Sequence, residues 1–317
     1  MIDNYGRVID YMRISVTELC NLRCRYCMPE DGIVKRAHDE MMTAEETIDA
    51  VKAAVSLGIK KIRITGGEPL VKRGIVKLCD AISAIEGVEE LCITTNGTLL
   101  PKFGRELREA GVSRVNISLD TLDPDKYREI TRVGELSNAL AGIDAAFEAG
   151  FDNIKINNVL MGGFNDDEIG DFVRLTVDRP IEVRFIELMP IGGGMDFDRS
   201  GFISCQQVLS KVPELEPLEH SEGVAVLYRL PGAKGRVGLI RPISCEFCGE
   251  CNKIRLTSDG MLKPCLHSDA ELCIKGLQLD EMKEVMRNAV LQKPEMRDKL
   301  DADNPSHAGR NMNSIGG

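Results

Sequence analysis

The sequence lacks the long apolar runs that mark membrane proteins and secreted proteins. No stretch approaches the roughly 20 consecutive apolar residues that a membrane-spanning helix needs. The first residues, Met1 to Arg7, contain no apolar core of the kind that signal peptides carry. These absences argue against a membrane protein and predict a cytoplasmic one.

Positive charge is also in short supply. The 317 residues include 40 lysines and arginines against 50 aspartates and glutamates, which gives a formal net charge of −10. This balance argues against broad binding to nucleic acid or acidic membranes, so an anionic ligand would need a local cationic pocket. Hydrophobic residues make up 43% of the chain and charged residues 28%, as in globular proteins. The length fits one barrel-sized domain with an appendage.

Eleven cysteines are present, and in a reducing compartment they indicate metal ligands or buried thiols rather than disulfides. Cys20, Cys24 and Cys27 lie within eight residues, in the spacing C-x3-C-x2-C. Thiolates hold iron–sulfur clusters, and three ligands on a four-iron cluster leave one iron open for a small molecule. A zinc knuckle is the alternative, but zinc sites usually add a second cysteine pair and close at four ligands.

Strands alternate with helices over the first 190 residues. Strands are predicted at residues 12–16, 61–65, 90–94, 114–119, 153–160 and 181–187. Helices are predicted from about residue 43, where Thr43 and Glu46 form a capping box, and at residues 71–85, 101–110, 137–149 and 166–177. This order predicts a parallel sheet with helices outside it.

The predicted strands have one polar face, as in Arg63 and Thr65 against Ile62 and Ile64. Parallel strands covered on both faces are apolar nearly throughout, and a closed eight-stranded barrel fills its interior with bulky branched residues. The alternation therefore predicts an incomplete barrel with a polar, partly cationic inner face. The alternative is a sheet with one face open to solvent.

Several loop features follow the strands. Gly66-Gly67-Glu68-Pro69 comes after the second strand and Thr94-Thr95-Asn96-Gly97 after the third, while Ser118 and Met189 stand near the ends of the fourth and sixth. The absent glycine side chains would let backbone approach a ligand closely.

A second group of cysteines lies beyond a predicted hairpin at residues 224–230 and 236–240. Cys248 and Cys251 are followed by Cys265, again without a clear fourth ligand, although Cys245 or His267 could complete the set.

The first cysteine motif resembles that of the radical S-adenosylmethionine (SAM) enzymes, because Tyr26 precedes its last cysteine and Gly-Gly-Glu-Pro follows downstream. The run from Phe247 to Gly260, the segment from Lys263 to Leu266 and residues 314–317 resemble a narrower family, the GTP 3′,8-cyclases of molybdenum cofactor biosynthesis. The resemblance covers nearly the whole chain. It implies an α/β fold with an incomplete (β/α)6 TIM-like barrel over residues 1–190. Residues 191–317 would then carry a second iron–sulfur cluster and a double-glycine tail.

The resemblance also implies roles for particular residues. Two 4Fe–4S clusters would be held by Cys20, Cys24 and Cys27 and by Cys248, Cys251 and Cys265. SAM would contact Tyr26, Gly67, Ser118 and Met189; GTP would contact Arg13, Arg63, Thr94, Lys155, Lys253, Ile254 and Arg255; and Gly316 and Gly317 would be catalytic. The family usually has arginine at the position of Lys253, so a point charge replaces a bidentate guanidinium there.

The implied reaction converts GTP to 3′,8-cyclo-7,8-dihydro-GTP. A reduced cluster and SAM would give a 5′-deoxyadenosyl radical that takes H3′ from ribose, a hydrogen that no ordinary general base could remove. The implied partners are GTP, an electron donor and the cyclic pyranopterin monophosphate synthase that follows in the pathway. A homodimer is an additional expectation, although the sequence does not determine the oligomeric state. Neither a nucleic acid nor a membrane is expected as a partner.

Two other functions stay open. A radical SAM enzyme that modifies peptides would share the first cysteine motif but usually carries more C-terminal cysteines. A zinc-dependent structural module would share only the cysteine spacing, and would contain zinc without sulfide.

Overall fold

The computed structural model describes residues 1–34, 36–192, 201–219, 223–245, 247–300 and 306–316. Its strands are β1 (Tyr11–Ser15), β2 (Lys61–Thr65), β3 (Glu90–Thr95), β4 (Arg114–Ser118), β5 (Ile154–Leu160), β6 (Ile181–Glu187), β7 (Glu216–Pro217), β8 (Val226–Arg229), β9 (Arg236–Ile240), β10 (Lys253–Leu256), β11 (Met261–Lys263) and β12 (Leu272–Cys273). Its helices are α1 (Ala44–Ser56), α2 (Ile75–Ser83), α3 (Leu100–Glu109), α4 (Pro124–Thr131), α5 (Leu136–Glu148), α6 (Ile169–Asp178), α7 (Gln206–Lys211), α8 (Leu279–Leu291) and α9 (Met312–Ile315).

All of these strands belong to one sheet, in the order β12-β11-β10-β1-β2-β3-β4-β5-β6-β9-β8-β7. Strands β1 to β6 are parallel neighbours with helices between them in the chain. The six predicted strands are confirmed, with bounds within one residue of those expected. The sheet is the α/β arrangement that the alternation of strands and helices requires.

The C-terminal region extends this sheet at both edges. Strand β10 pairs in parallel with β1, and β9 pairs in parallel with β6. The predicted hairpin at residues 224–230 and 236–240 is confirmed as the antiparallel pair β8 and β9. The parallel part of the sheet therefore has eight strands, of which the sequence pattern predicted six.

The apolar faces of the strands pack against the helices in one core. That core contains strand residues such as Ile62, Ile64 and Ile93 together with helix residues such as Val51 and Leu78. The polar face is also enclosed, because Lys155 is 0%, Glu182 3% and Arg63 4% exposed. The polar face is thus an interior surface, and the alternative of a sheet open to solvent is wrong.

Local signals explain two helix starts. The predicted capping box of α1 is confirmed, because the Thr43 hydroxyl accepts from the N–H of Glu46 at 3.0 Å and the Glu46 carboxylate accepts from the N–H of Thr43 at 2.8 Å. Helix α4 was not predicted, although Asp123 caps it through the N–H groups of Asp125 and Lys126 and Pro124 opens it.

Among the helices that the structure describes, none has the length and apolar character that crossing a membrane requires.

Candidate active site

The first cysteine loop begins after the carboxyl end of β1. The N–H groups of Arg23 and Arg25 donate to the carbonyls of Thr131 and Ile130 at the end of α4, each at 3.0 Å. Cys20, Cys24 and Cys27 are partly buried thiols. Burial, with their mutual repulsion as anions, raises the pKa of Cys27 to about 12 and also raises that of Cys24. Ligand binding by these thiols must therefore release protons.

The Gly66-Gly67 loop packs directly on the segment that leads into these cysteines. The N–H of Gly67 donates to the carbonyl of Thr17 at 2.7 Å. A Cβ at Gly66 would lie 2.6 Å from the Thr17 carbonyl oxygen, and one at Gly67 would lie 2.4 Å from that of Leu19. The two glycines therefore let the end of β2 meet the cysteine loop backbone to backbone.

Glu68 joins the ends of β2 and β3 to the cysteine loop. It is 1% exposed, and its carboxylate accepts from the Thr95 hydroxyl at 2.7 Å and from the N–H groups of Asn96 at 2.7 Å and Leu70 at 3.0 Å. The Asn96 amide then donates to the Asn21 side chain at 2.9 Å, next to Cys20. Burial raises the pKa of Glu68 to about 7, because its hydrogen bonds offset the desolvation only in part.

Replacing Glu68 by glutamine is expected to lower the free energy of unfolding by about 2 kcal/mol, because the amide cannot accept from all of these donors. Denaturant unfolding over a pH series measures the difference, which should narrow as the pH rises from about 4.5 to about 7, because the raised pKa of the buried Glu68 carboxyl lowers the stability of the parent protein over that range. The control is Glu109→Gln on the exposed face of α3, which should leave the stability unchanged. Equal stabilities for the two variants would contradict the role given to Glu68.

Asp120 fixes the aromatic ring of the cysteine motif. The Tyr26 hydroxyl donates to its carboxylate at 2.7 Å, and the N–H of Val159 donates to the other oxygen at 2.9 Å. Burial raises the pKa of Asp120 to about 6. Ser118 ends β4 two residues earlier, so it lies near this pair in the chain.

Three arginines occupy matched positions on adjacent strands. Arg13 on β1 stands beside Arg255 on β10 and beside Arg63 on β2, where neighbouring strands are about 4.8 Å apart. Burial and the neighbouring charges of Arg255 and Arg63 lower the pKa of Arg13 to about 9. Like charges this close repel, so the row favours an anion that would neutralise it.

The other predicted GTP contacts border this row. The Thr94 hydroxyl accepts from Arg63 at 3.2 Å, and the Lys253 ammonium lies 5.5 Å from the centre of the Tyr11 ring. Lys155 instead forms a buried ion pair with Glu182 at 3.1 Å. The Ile254 side chain is in the apolar core, so only its main chain could contact a ligand inside the barrel.

The second cysteine group lies at the opposite end of the same strands. Cys251 precedes β10, and Cys265 follows β11, which is antiparallel to β10. The Arg7 guanidinium donates to the carbonyl of Cys248 at 2.7 Å, and the Lys293 ammonium lies 3.7 Å from the Cys251 sulfur. Burial raises the pKa of Cys251, but the ammonium groups of Lys293 and Lys253 outweigh it and the net pKa is lowered.

The C-terminal segment joins the cysteine loop to the arginine row. The N–H of Asn313 donates to the Cys27 thiol. The Gly316 carbonyl accepts from Arg255 at 2.6 Å, and a Cβ at Gly316 would lie only 2.1 Å from the Thr65 hydroxyl. Upstream, Arg310 binds both carboxylate oxygens of Glu271, at 2.7 and 2.6 Å. Gly317 lies outside the described residues.

Comparisons with known proteins agree with this arrangement. Residues 14–176 match the model of the radical SAM superfamily, and residues 181–301 match that of the molybdenum cofactor synthesis C family. The GTP 3′,8-cyclase of Alkaliphilus oremlandii is 53% identical over 321 residues, 100% of each chain. That of Peptoclostridium acidaminophilum is 54% identical over 305 residues, covering 92% of this chain and 94% of the relative. The chain belongs to the GTP 3′,8-cyclase family.

The fold of this family member is also that of a more distant enzyme. The structure of Streptococcus suis SuiB bound to S-adenosylmethionine is similar with a TM-score of 0.62 at 17% identity, over 86% of this chain and 65% of SuiB. At this identity the likeness concerns the fold alone.

The two cysteine groups fit the cofactors of the cyclase family, which are two 4Fe–4S clusters and SAM. Among the residues that the structure describes, no three or more His, Cys, Asp or Glu side chains are close enough to hold one metal ion. A cubane cluster has a different requirement, because each thiolate binds a different iron. N–H donors already face sulfurs in both groups, from Asn313 to Cys27 and from Lys293 to Cys251. Such hydrogen bonds are typical of iron–sulfur sites.

Three residues around the site of this cyclase family member were not predicted from the sequence motifs. Asp120 could have been noticed, because it follows a barrel strand at its carboxyl end, where functional side chains of parallel barrels collect. Lys293 and Arg310 had no sequence signal, since each gains its partners from segments far away in the chain. Met189 packs beside the small apolar cluster of Ile191, Ala308 and Ile315, next to the tail.

Proposed function

We propose that this chain is a radical SAM GTP 3′,8-cyclase that converts GTP to 3′,8-cyclo-7,8-dihydro-GTP in molybdenum cofactor biosynthesis. The observation that carries the proposal is the row of Arg255, Arg13 and Arg63 on adjacent strands, with one cysteine group beyond each end of those strands. The strands are four or five residues long, so a ligand on the row lies within about 15 Å of either end. A triphosphate has the negative charge that would neutralise this row, and GTP is long enough for its nucleoside part to extend beyond the row.

Cys20, Cys24 and Cys27 would hold the cluster that binds SAM, and Cys248, Cys251 and Cys265 the cluster that faces GTP. When bound, the first cluster and SAM supply a 5′-deoxyadenosyl radical, which can remove hydrogen from the unactivated ribose C3′. The protein's own part is to position and enclose. Tyr26, held by Asp120, and Gly67, Ser118 and Met189 would contact SAM.

The arginine row and its neighbours would hold GTP. Arg13, Arg63 and Arg255 supply guanidinium groups for the triphosphate, while Thr94, Lys253 and the main chain of Ile254 border it. Lys155 pairs with Glu182 at 3.1 Å, but the same carboxylate also pairs with Arg184 and Arg236. These three cations and one carboxylate keep a net positive charge, which would attract the triphosphate. Gly316 on the tail, with Gly317 after it, would contact the reacting end of the substrate.

The proposal extends to organisation and partners. The chain would divide into the partial barrel of residues 1–190 and the C-terminal region of residues 191–317, would receive electrons from a separate donor and would pass its product to cyclic pyranopterin monophosphate synthase. A cytoplasmic location is supported by the eleven cysteines, none of which forms a disulfide in the structure. A homodimer stays part of the proposal.

The direct test is an anaerobic turnover assay with reduced protein, SAM and GTP. We expect 5′-deoxyadenosine and cyclised nucleotide to form together, and both to depend on GTP. Formation of 5′-deoxyadenosine at the same rate without GTP would favour a peptide-modifying enzyme. Zinc in place of iron, with no acid-labile sulfide, would favour a structural module and refute the proposal.

Replacing Arg13 by glutamine is expected to raise the KM for GTP by about 10- to 100-fold, the loss of one charge-assisted hydrogen bond to a phosphate. Steady-state kinetics measure the effect. Arg105→Gln, on the exposed side of α3, is the matched control and should leave the KM unchanged. An unchanged KM would remove Arg13 from the GTP site.

A further inference from the structure

Lys293 is a buried cation whose burial the described reaction does not explain. It follows α8 and is only 3% exposed, although exposed lysine is the rule in proteins. Burial of an ammonium group destabilises the folded state unless neighbouring charges or hydrogen bonds compensate for the lost hydration. The groups that contact the Lys293 ammonium therefore indicate its role.

The Lys293 ammonium makes three contacts, and all of them belong to the second cysteine group. It donates to the carbonyl of Lys253 at 2.8 Å and to the carbonyl of Pro264 at 2.7 Å, and it lies 3.7 Å from the Cys251 sulfur. Lys253 is two residues beyond Cys251, and Pro264 directly precedes Cys265. One side chain thus joins the two chain segments that carry these cysteines.

The segment that bears Lys293 is held on its other side by Arg7. The Arg7 guanidinium donates to the carbonyls of Pro294 at 2.7 Å and Glu295 at 3.0 Å, and to that of Cys248 at 2.7 Å. Residues 293–295 therefore connect to all three cysteines of the group. Arg7 is neutralised by Asp3 at 2.5 Å, so the connection through Arg7 adds no net charge.

Lys293 differs from Arg7 in its charge balance. Among the described residues no carboxylate lies within ion-pair distance of its ammonium, and its other cationic neighbours in this group, Lys253 and Arg255, add positive charge. The Cys251 sulfur is the group that can become an anion beside it. A thiolate bound to a cluster would complete the charge balance, which a neutral thiol cannot do.

We propose that Lys293 is a positioning residue of the second cluster. It holds the chain segments of Cys251 and Cys265 in a fixed relative position, and it makes that cluster easier to reduce. The inference rests on the proposed function only in assigning Cys248, Cys251 and Cys265 to a cluster. A positive charge and an N–H donor at a ligating sulfur stabilise the more negative, reduced cluster over the oxidised one. Since the first cluster lies at the other end of the strands, it should be unaffected.

The test is a redox titration of the two clusters in the anaerobically purified full chain, followed by electron paramagnetic resonance. Added SAM changes only the signal of the first cluster, which identifies each signal. In Lys293→Met we expect a more negative midpoint potential for the second cluster and an unchanged one for the first. Lys293→Arg should restore the potential toward that of the parent protein, and Lys283→Met, on the preceding helix α8, should have no effect.

The iron and sulfide content of the variants provides a second measurement. Loss of the second cluster alone from Lys293→Met, by iron and sulfide analysis, would support the positioning role, and Lys293→Gln, which keeps donors for the two carbonyls, would then regain the cluster at a lowered potential. Full loading with unchanged potentials would overturn the proposal, as would equal loss of both clusters. Failure of the cyclase assignment would look different, since GTP turnover would then be absent from the parent protein while the potential shift persisted.

Discussion

Replacing Cys265 by alanine is expected to remove one of the two clusters and with it all GTP-dependent turnover. Iron should fall from about eight to about four atoms per chain, because the remaining thiols cannot hold the second cubane. Cys265 is partly buried and follows β11. Burial lowers the pKa of Arg255, and the negative charge that Cys251 and Cys265 can carry opposes this shift only in part. Iron analysis and the formation of cyclised nucleotide measure the loss.

Cys245 is the matched control for this variant. It lies three residues before Cys248 but is exposed, so Cys245→Ala should keep both clusters and full turnover. The His267 side chain has a pKa lowered by burial to about 3 and contacts Ser306 at 3.1 Å, and His267→Ala should also retain the second cluster. Loss of iron from either variant would identify a fourth protein ligand, and no iron would then be open for GTP.

Replacing Gly316 by alanine is expected to lower the rate of GTP cyclisation by about 100-fold, the cost of a displacement of about 1 Å in a positioned group. The new methyl group would stand 2.1 Å from the Thr65 hydroxyl and 3.4 Å from Ser15, both at strand ends, and Gly316 has φ of +79°. The tail must therefore move, and its contact with Arg255 is lost. Both clusters should still load.

Gly309→Ala provides the control in the same tail. Gly309 also has a positive φ, +62°, but a Cβ there would meet nothing closer than 4.0 Å. It should therefore show only the backbone strain, on the order of 1 kcal/mol, with little change in turnover. If Gly316→Ala cyclises GTP as fast as Gly309→Ala, the tail has no role in the reaction.

Much of the fold could be predicted because it depends on local sequence patterns. The alternation of polar and apolar residues in strands such as β2, where Arg63 lies between Ile62 and Ile64, predicted the six parallel strands and their polar inner face. The pairing of β10 with β1 could not be predicted from the sequence, because it joins residues about 240 positions apart. The sequence of a strand does not indicate which other strand will lie beside it.

The candidate site also has a part that could be predicted from the sequence and a part that could not. Cysteine spacing and the resemblance supplied the ligand and substrate residues, which stay predictions until the variants are measured. Glu68 was seen as part of a motif, but two of its three hydrogen bonds, from Thr95 and Asn96, come from folding β3 beside β2, and only the one from Leu70 is local. The glycines at 66 and 67 were expected to admit a ligand, whereas the structure shows that they also admit the backbone of residues 17–19.

The pairing of β10 with β1 has a consequence for protein synthesis. Arg13 and Arg63 leave the ribosome early, but Arg255 and the tail glycine that it binds come among the last quarter of the chain. A growing polypeptide would thus contain the whole first cysteine motif while the proposed nucleotide pocket still lacked Arg255 and the tail. Substrate capture should begin only after translation ends, so truncated chains would be unable to start radical chemistry on GTP.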